Sequence, residues 1–157
     1  MALEIERKYL VDHAKWNILK KHEGVLVRQG YISTDPHKTI RVRLVNELAY
    51  LTIKGITEGM TRKEFEYEIP RLDAEELLEN FSTSELSKLR YEIIYQGKKW
   101  EVDEFLGDNK GLIVAEIELD SEDEEFDLPE WVAEEVTGEE KYYNSNLALH
   151  SFKNWLN

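Results

Sequence analysis

The sequence predicts a mainly β (α+β) fold: an eight-stranded antiparallel closed barrel with a few flanking helices. Three observations lead there. Apolar and ionic residues alternate with a period of two along most of the chain, the pattern of strands that bury one face. The alternating segments are joined by hairpin-length links such as Asn46-Glu47 and Gln96-Gly97, which suit antiparallel neighbours. A long series of sequential strands hides its edges by closing on itself. The 157 residues contain no Pro/Gly/Ser linker and no low-complexity tract, so residues 1–157 read as a single domain.

The first strand is expected over 2–11, where Leu3, Ile5 and Leu10 interleave with Glu4, Glu6 and Lys8. A short helix over 14–21 leads to a strand at 25–34 containing VLVRQGYIS. Ile40, Val42 and Leu44 alternate with Arg41 and Arg43 in a strand at 38–45. Leu51 and Ile53 alternate with Thr52 and Lys54 at 48–56, and Phe65, Tyr67 and Ile69 with Arg62, Glu64, Glu66 and Glu68 at 61–70. Asp73 is the expected cap of a helix at 73–80, since a short acid there can accept orphan N–H groups. Three more strands follow at 87–95, 98–106 and 111–120, marked by Leu89-Arg90-Tyr91, Trp100-Glu101-Val102-Asp103 and Ala115-Glu116-Ile117-Glu118-Leu119. The acidic run 121–127 reads as a solvated loop, followed by helices at 129–136 and 144–155.

Composition narrows the function. The 33 acids against 20 Lys+Arg give a formal net charge of −13. That excludes a general nucleic-acid binder or a binder of anionic membranes, both of which need a positive surface. Cysteine is absent, which removes disulfides, thiolate metal sites and cysteine nucleophiles and suits a cytoplasmic setting. The N-terminus carries Glu4 and Glu6 where an export signal needs an apolar run. No apolar stretch approaches the roughly 20 residues that cross a bilayer. His13, His22, His37 and His150 are scattered without metal-ligand spacing.

The ionic rows are grouped by sign. Arg41, Arg43 and Lys54 lie on adjacent strands, Lys88 and Arg90 on another, and acids pair at 4/6, 64/66 and 116/118. An eight-stranded barrel has room inside for side chains or a small ligand. If the ionic rows point inward, unlike charges share a partly dehydrated space, which is costly unless they are paired or bound. A polyanion held by Lys/Arg, together with a divalent cation held by carboxylates, would neutralise it; Mg²⁺ and Mn²⁺ prefer such oxygen ligands.

At these positions the chain resembles a known family. Glu4-Ile5-Glu6-Arg7-Lys8 is similar to the E-x-E-x-K signature of the CYTH, or triphosphate tunnel metalloenzyme, family. The resemblance runs in order through Gln29-Gly30-Tyr31, Arg41-Val42-Arg43, Leu51 to Gly55, Glu64-Phe65-Glu66, Lys88 to Tyr91, Trp100 to Asp103, Ala115 to Leu119 and Val136-Thr137-Gly138 to Tyr143-Asn144. It implies a barrel acting on a small-molecule triphosphate with Mg²⁺ or Mn²⁺. By that resemblance Glu4, Glu6, Asp103, Glu116 and Glu118 are metal carboxylates. Lys8, Arg41, Arg43, Lys54, Lys88 and Arg90 bind phosphates, and Glu64 and Glu66 serve a metal or its water. Tyr31 resembles a proposed catalytic tyrosine of short bacterial members, although a phenol with an ordinary pKa near 10 is a poor base at neutral pH. The family often places a C-terminal basic residue over the tunnel, for which Lys141 and Lys153 are the two candidates. Its members are often dimeric, which leaves a homodimer open.

The leading expectation is a metal-dependent inorganic triphosphatase, because the short chain shows no inserted segment to hold a base or a thiamine ring. Class IV adenylate cyclase, thiamine triphosphatase and nucleoside triphosphatase share the same motifs. A non-catalytic polyphosphate- or nucleotide-binding barrel is the alternative of a different class.

Overall fold

A computed structural model describes residues 3–155. Nine strands form one sheet in the order β5-β4-β3-β2-β6-β7-β8-β1-β9, and a β5–β1 pairing closes eight of them into a barrel. The strands are β1 (Leu3–Val11), β2 (Val25–Ser33), β3 (Thr39–Val45), β4 (Leu48–Lys54), β5 (Thr61–Glu68), β6 (Ser84–Tyr95), β7 (Lys98–Phe105), β8 (Ile113–Glu118) and β9 (Val132–Glu135). All pairings are antiparallel. The closed antiparallel barrel expected from the alternation is therefore present; the expected start of its first strand at residue 2 lies outside the described residues. The β6–β7 turn has both Gln96 (φ 50°) and Gly97 (φ 77°) at positive φ, as a tight hairpin with right-handed strand twist requires.

Three helices flank the barrel: α1 (His13–Ile18), α2 (Arg71–Phe81) and α3 (Asn144–Leu149). None among the described residues is long and apolar enough to cross a membrane. In α1 the Asp12 carboxylate accepts the Lys15 N–H at 3.0 Å, and Trp16 is driven fully into a cluster with Trp100 and Trp131 on the outer faces of β1, β7 and β8. Helix α2 buries Ala74 and Leu78 over Val42, Leu44 and Ala49. Gly30 permits that approach, because a Cβ there would stand 2.6 Å from Leu78 Cδ2.

The helical expectations need three corrections. The segment 129–136, expected as a helix, instead supplies β9, which pairs with the C-terminal half of β1. Among the described residues β5 reaches only Leu3, Glu4 and Ile5 of that edge, so the backbone groups towards Val11 need another strand. Asp73 sits in the first turn of α2 rather than at its cap, which is Pro70 without a side-chain bond. Finally, α3 stops at Leu149 instead of continuing to 155. Buried Asn109 intervenes: its Nδ2 donates to the Leu147 carbonyl (3.3 Å) and its Oδ1 accepts the Phe152 N–H (2.9 Å), so the chain turns into a separate short 3₁₀ segment.

Candidate active site

Residues two apart on a strand share a face, and the strand register brings the ionic rows together inside the barrel. It sets Tyr31 beside Arg41 and Gln29 beside Arg43, then Arg41 beside Thr52, Thr52 beside Glu66 and Lys54 beside Glu64. Across the barrel Arg90 neighbours Asp103, Glu101 neighbours Glu116, and Lys8 and Glu6 neighbour Glu116 and Glu118. Glu6, Lys8, Tyr31, Arg41, Lys54, Lys88, Arg90 and Glu116 line one cavity. At one end the same rows turn apolar: two residues beyond Lys8, Lys88, Asp103 and Glu116 stand Leu10, Leu86, Phe105 and Val114. These pack with Leu147 of α3 and with Tyr142, so the C-terminal segment fills that end.

The basic side is crowded with cations. Burial and the adjacent Arg41 pull Arg43 down to about 10. Burial pulls Lys88 down to about 7 against the opposing pull of Asp103, with Arg90 and Arg41 adding to the fall. The Nε groups of Arg41 and Arg43 are buried and have no partner among the described residues. A buried donor without an acceptor costs about 1–3 kcal/mol, and an anion in the cavity would satisfy it. Two acids hold these cations in place. Glu66 Oε2 accepts from Arg41 Nη2 (3.3 Å), Arg43 Nη2 (3.2 Å) and Thr52 Oγ1 (2.9 Å). Asp103 accepts Arg90 Nε and Nη2 at 2.8 and 2.9 Å and pairs with Lys88 Nζ at 3.0 Å.

The acidic side has the opposite deficit. Burial raises the Glu4 carboxyl to about 7 despite Lys54, and a hydrogen bond shared with Glu64 raises it further. Glu6 is held well above the usual carboxylate range by burial and by Glu116 and Glu4. Burial and Glu64 also push Glu118 up. Glu116 differs: Lys8 and Arg90 outweigh its burial and hold it at about 2, with Lys8 Nζ 3.7 Å away. Burial pushes Glu64 up, but its hydrogen bond with Glu4 and the Lys54 ammonium at 3.1 Å bring it below the ordinary value. Among the described residues no three carboxylates or imidazoles gather as a metal-holding group; Lys54 and Lys8 stand among the acids instead. The acids present are all oxygen donors, the ligand type a hard divalent cation takes, and Glu4 and Glu6, raised by burial and by neighbouring acids, are the groups whose charge such a cation would offset.

Neither C-terminal lysine takes the place expected for it. Lys153 pairs with Asp108 at 2.9 Å on the surface, and Lys141 lies over the rings of Tyr142 and Trp155. The C-terminal region instead brings Thr137, Tyr143 and Asn144 to the cavity wall. Arg62 also lines it, on the same β5 row as Glu64 and Glu66, where alternation alone could have marked it. Gln29 and Thr52 are fully buried in the network, and as uncharged members of ionic rows they carried no charge signal.

The chain is similar to known proteins along nearly its whole length. A family model described as the CYTH domain matches residues 2–151. A relative named inorganic triphosphatase, from Acetivibrio thermocellus, is 48% identical, with 99% of each chain covered. Another of that name, from Nitrosomonas europaea, is 36% identical over 93% of this chain and 97% of its own. A crystal structure of an inorganic triphosphatase aligns with a TM-score of 0.65 at 32% identity, covering 92% of this chain and 97% of that one.

Proposed function

The chain belongs to the CYTH domain family, and from that premise we propose that it is an inorganic triphosphatase, hydrolysing tripolyphosphate to pyrophosphate and orthophosphate. Relatives of that name match it over 99% and 93% of its length. The observation that carries the assignment is the pair of buried Nε donors on Arg41 and Arg43, without a partner among the described residues, in the same barrel as Glu4 and Glu6, whose carboxyls burial raises. A polyanion with a divalent cation relieves both deficits at once.

Mg²⁺ or Mn²⁺ is the cation proposed, held by Glu4, Glu6, Glu116 and Glu118. When bound, it neutralises phosphate charge and makes a nearby water more acidic. Arg41, Arg43, Lys54, Lys8, Lys88 and Arg90 neutralise and align the triphosphate, the dominant task in phosphoryl transfer. Glu64, which its hydrogen bond with Glu4 and the Lys54 ammonium keep ionised, is the carboxylate assigned to accept a proton from the attacking water. Glu66 and Asp103 are assigned differently from the resemblance: Glu66 Oε2 is engaged by two arginines and a threonine and both Asp103 oxygens by arginine and lysine, so they orient cations. Gln29 Nε2 donates to Tyr31 Oη at 2.8 Å, which leaves the phenol proton free to donate to phosphate. Tyr31 is thus a donor to substrate and not a base.

Glu66→Gln is expected to raise the KM for tripolyphosphate by roughly tenfold, since it weakens a charge-assisted clamp on two guanidiniums; steady-state kinetics check it. A substrate panel of tripolyphosphate, ATP, thiamine triphosphate and pyrophosphate tests the whole assignment. Orthophosphate released fastest from tripolyphosphate supports it. Cyclic AMP with pyrophosphate from ATP would make the protein a cyclase, and tight binding without turnover would make it a binding module. A homodimer is the proposed assembly, supported by the exposed outer row Ile53, Phe65 and Tyr67; sedimentation equilibrium checks it.

A further inference from the structure

The C-terminal segment does more than close the barrel. Asn144 is the first residue of α3, yet its side chain does not serve that helix, whose start has no side-chain cap bond. Its Oδ1 accepts Lys88 Nζ at 2.7 Å and Gln29 Nε2 at 3.3 Å. Lys88 is 1% exposed and Gln29 0%, so the acceptor serves two groups cut off from water. An ammonium has three donors. One of those on Lys88 is directed at Asp103, 3.0 Å away, and one at Asn144, which leaves the third uncommitted to an acceptor among the described residues, on a side chain that lines the cavity.

We infer that Asn144 is a positioning residue for triphosphate hydrolysis: with Asp103 it fixes the Lys88 ammonium so that one N–H faces the substrate phosphates. The inference rests on the function proposed above. Asn144 touches neither metal nor water in this role and acts through Lys88. Gln29 ties the same carbonyl to Tyr31 through its second bond, so donors from β2 and β6 are set against one residue of the C-terminal segment. Their mutual placement then depends on α3 being docked, and Leu147, fully buried three residues later, docks it.

The test is tripolyphosphate hydrolysis in saturating Mg²⁺ by the full chain, with folding checked by thermal unfolding. Asn144→Leu keeps the bulk and removes the acceptor; it is expected to lower kcat by roughly 10–100-fold, the scale of a misplaced catalytic contact. Asn144→Asp restores an acceptor and is expected to recover most of kcat while raising KM, because it adds a negative charge beside an anion site. In a Lys88→Met background, Asn144→Leu is expected to cost less than about twofold, as two residues that act as one unit are not additive. A residue needed only for folding would lower kcat in both variants alike and would lose the same factor with or without Lys88; either result overturns the inference. An unchanged kcat in Asn144→Leu overturns it too. If the wild type itself releases no phosphate, the functional assignment fails first, and this one with it.

Discussion

Glu4→Gln is expected to abolish most triphosphatase turnover while making the metal-free protein more stable. Losing one carboxylate from the donor set proposed for the cation would remove charge stabilisation of several kcal/mol, so kcat is expected to fall by at least about 10²-fold. Stability moves the other way because Glu4 is raised to about 7, chiefly by burial. A carboxyl whose folded pKa lies above its unfolded value stabilises fully at low pH and loses that contribution as pH rises through the folded value. The wild type therefore weakens between about pH 4.5 and 7 through this group, by up to about 3 kcal/mol, less the opposite contribution of Glu64, whose carboxyl is lowered. Thermal unfolding in chelator is expected to show Glu4→Gln melting above the wild type at pH 8, with the gain vanishing near pH 4.5. Mg²⁺ is expected to raise the wild-type Tm more at pH 8 than at pH 5. A variant that melts lower at pH 8, or that turns over at the wild-type rate, contradicts the assignment of Glu4.

The second large effect belongs to Asp103, and it is one of stability as much as rate. Its side chain is 1% exposed and holds both Arg90 and Lys88. Asp103→Asn leaves Lys88 buried near Arg41 without its carboxylate partner and leaves Arg90 with Glu101 alone, 3.1 Å away. Breaking a buried pair by removing one partner typically costs 3–5 kcal/mol, so a loss of about 3 kcal/mol by denaturant unfolding is expected. Part of it is expected to return with tripolyphosphate, whose phosphates supply the missing negative charge. If Asp103 were a metal carboxylate instead, its loss would weaken Mg²⁺ binding at little cost to the metal-free fold. Mg²⁺ titration of the variant separates the two roles.

These cases show what the sequence carries and what it does not. The period-two rows of Arg41/Arg43, Glu64/Glu66 and Glu116/Glu118 were legible because a strand writes its two faces directly into its residues. Closure of the barrel followed from the number of such strands and the shortness of their links. Which acid meets which cation is not in any one strand: that Glu66 belongs to Arg41 and Arg43, and Asp103 to Lys88 and Arg90, depends on register between strands. Segment 129–136 misled for a related reason. Trp131, Val132, Glu135 and Val136 have helical spacing, but the unfilled edge of β1 outweighed local preference. The apolar ends of the ionic rows at Leu10, Leu86, Phe105 and Val114 were visible as residues, yet their purpose appears only when Leu147 and Tyr142 arrive from the far end of the chain.

A net charge of −13 and the proposed polyanionic substrate are compatible because Lys8, Arg41, Lys54, Lys88 and Arg90 line the cavity and, in the proposed function, the acids among them hold a divalent cation. Phosphorus NMR of tripolyphosphate with the purified protein, in Mg²⁺ and then in excess chelator, tests that claim most directly. The expected result is conversion to equal amounts of pyrophosphate and orthophosphate in Mg²⁺ and an unchanged tripolyphosphate spectrum in chelator. Equal hydrolysis with and without the cation, or no hydrolysis in its presence, would contradict it.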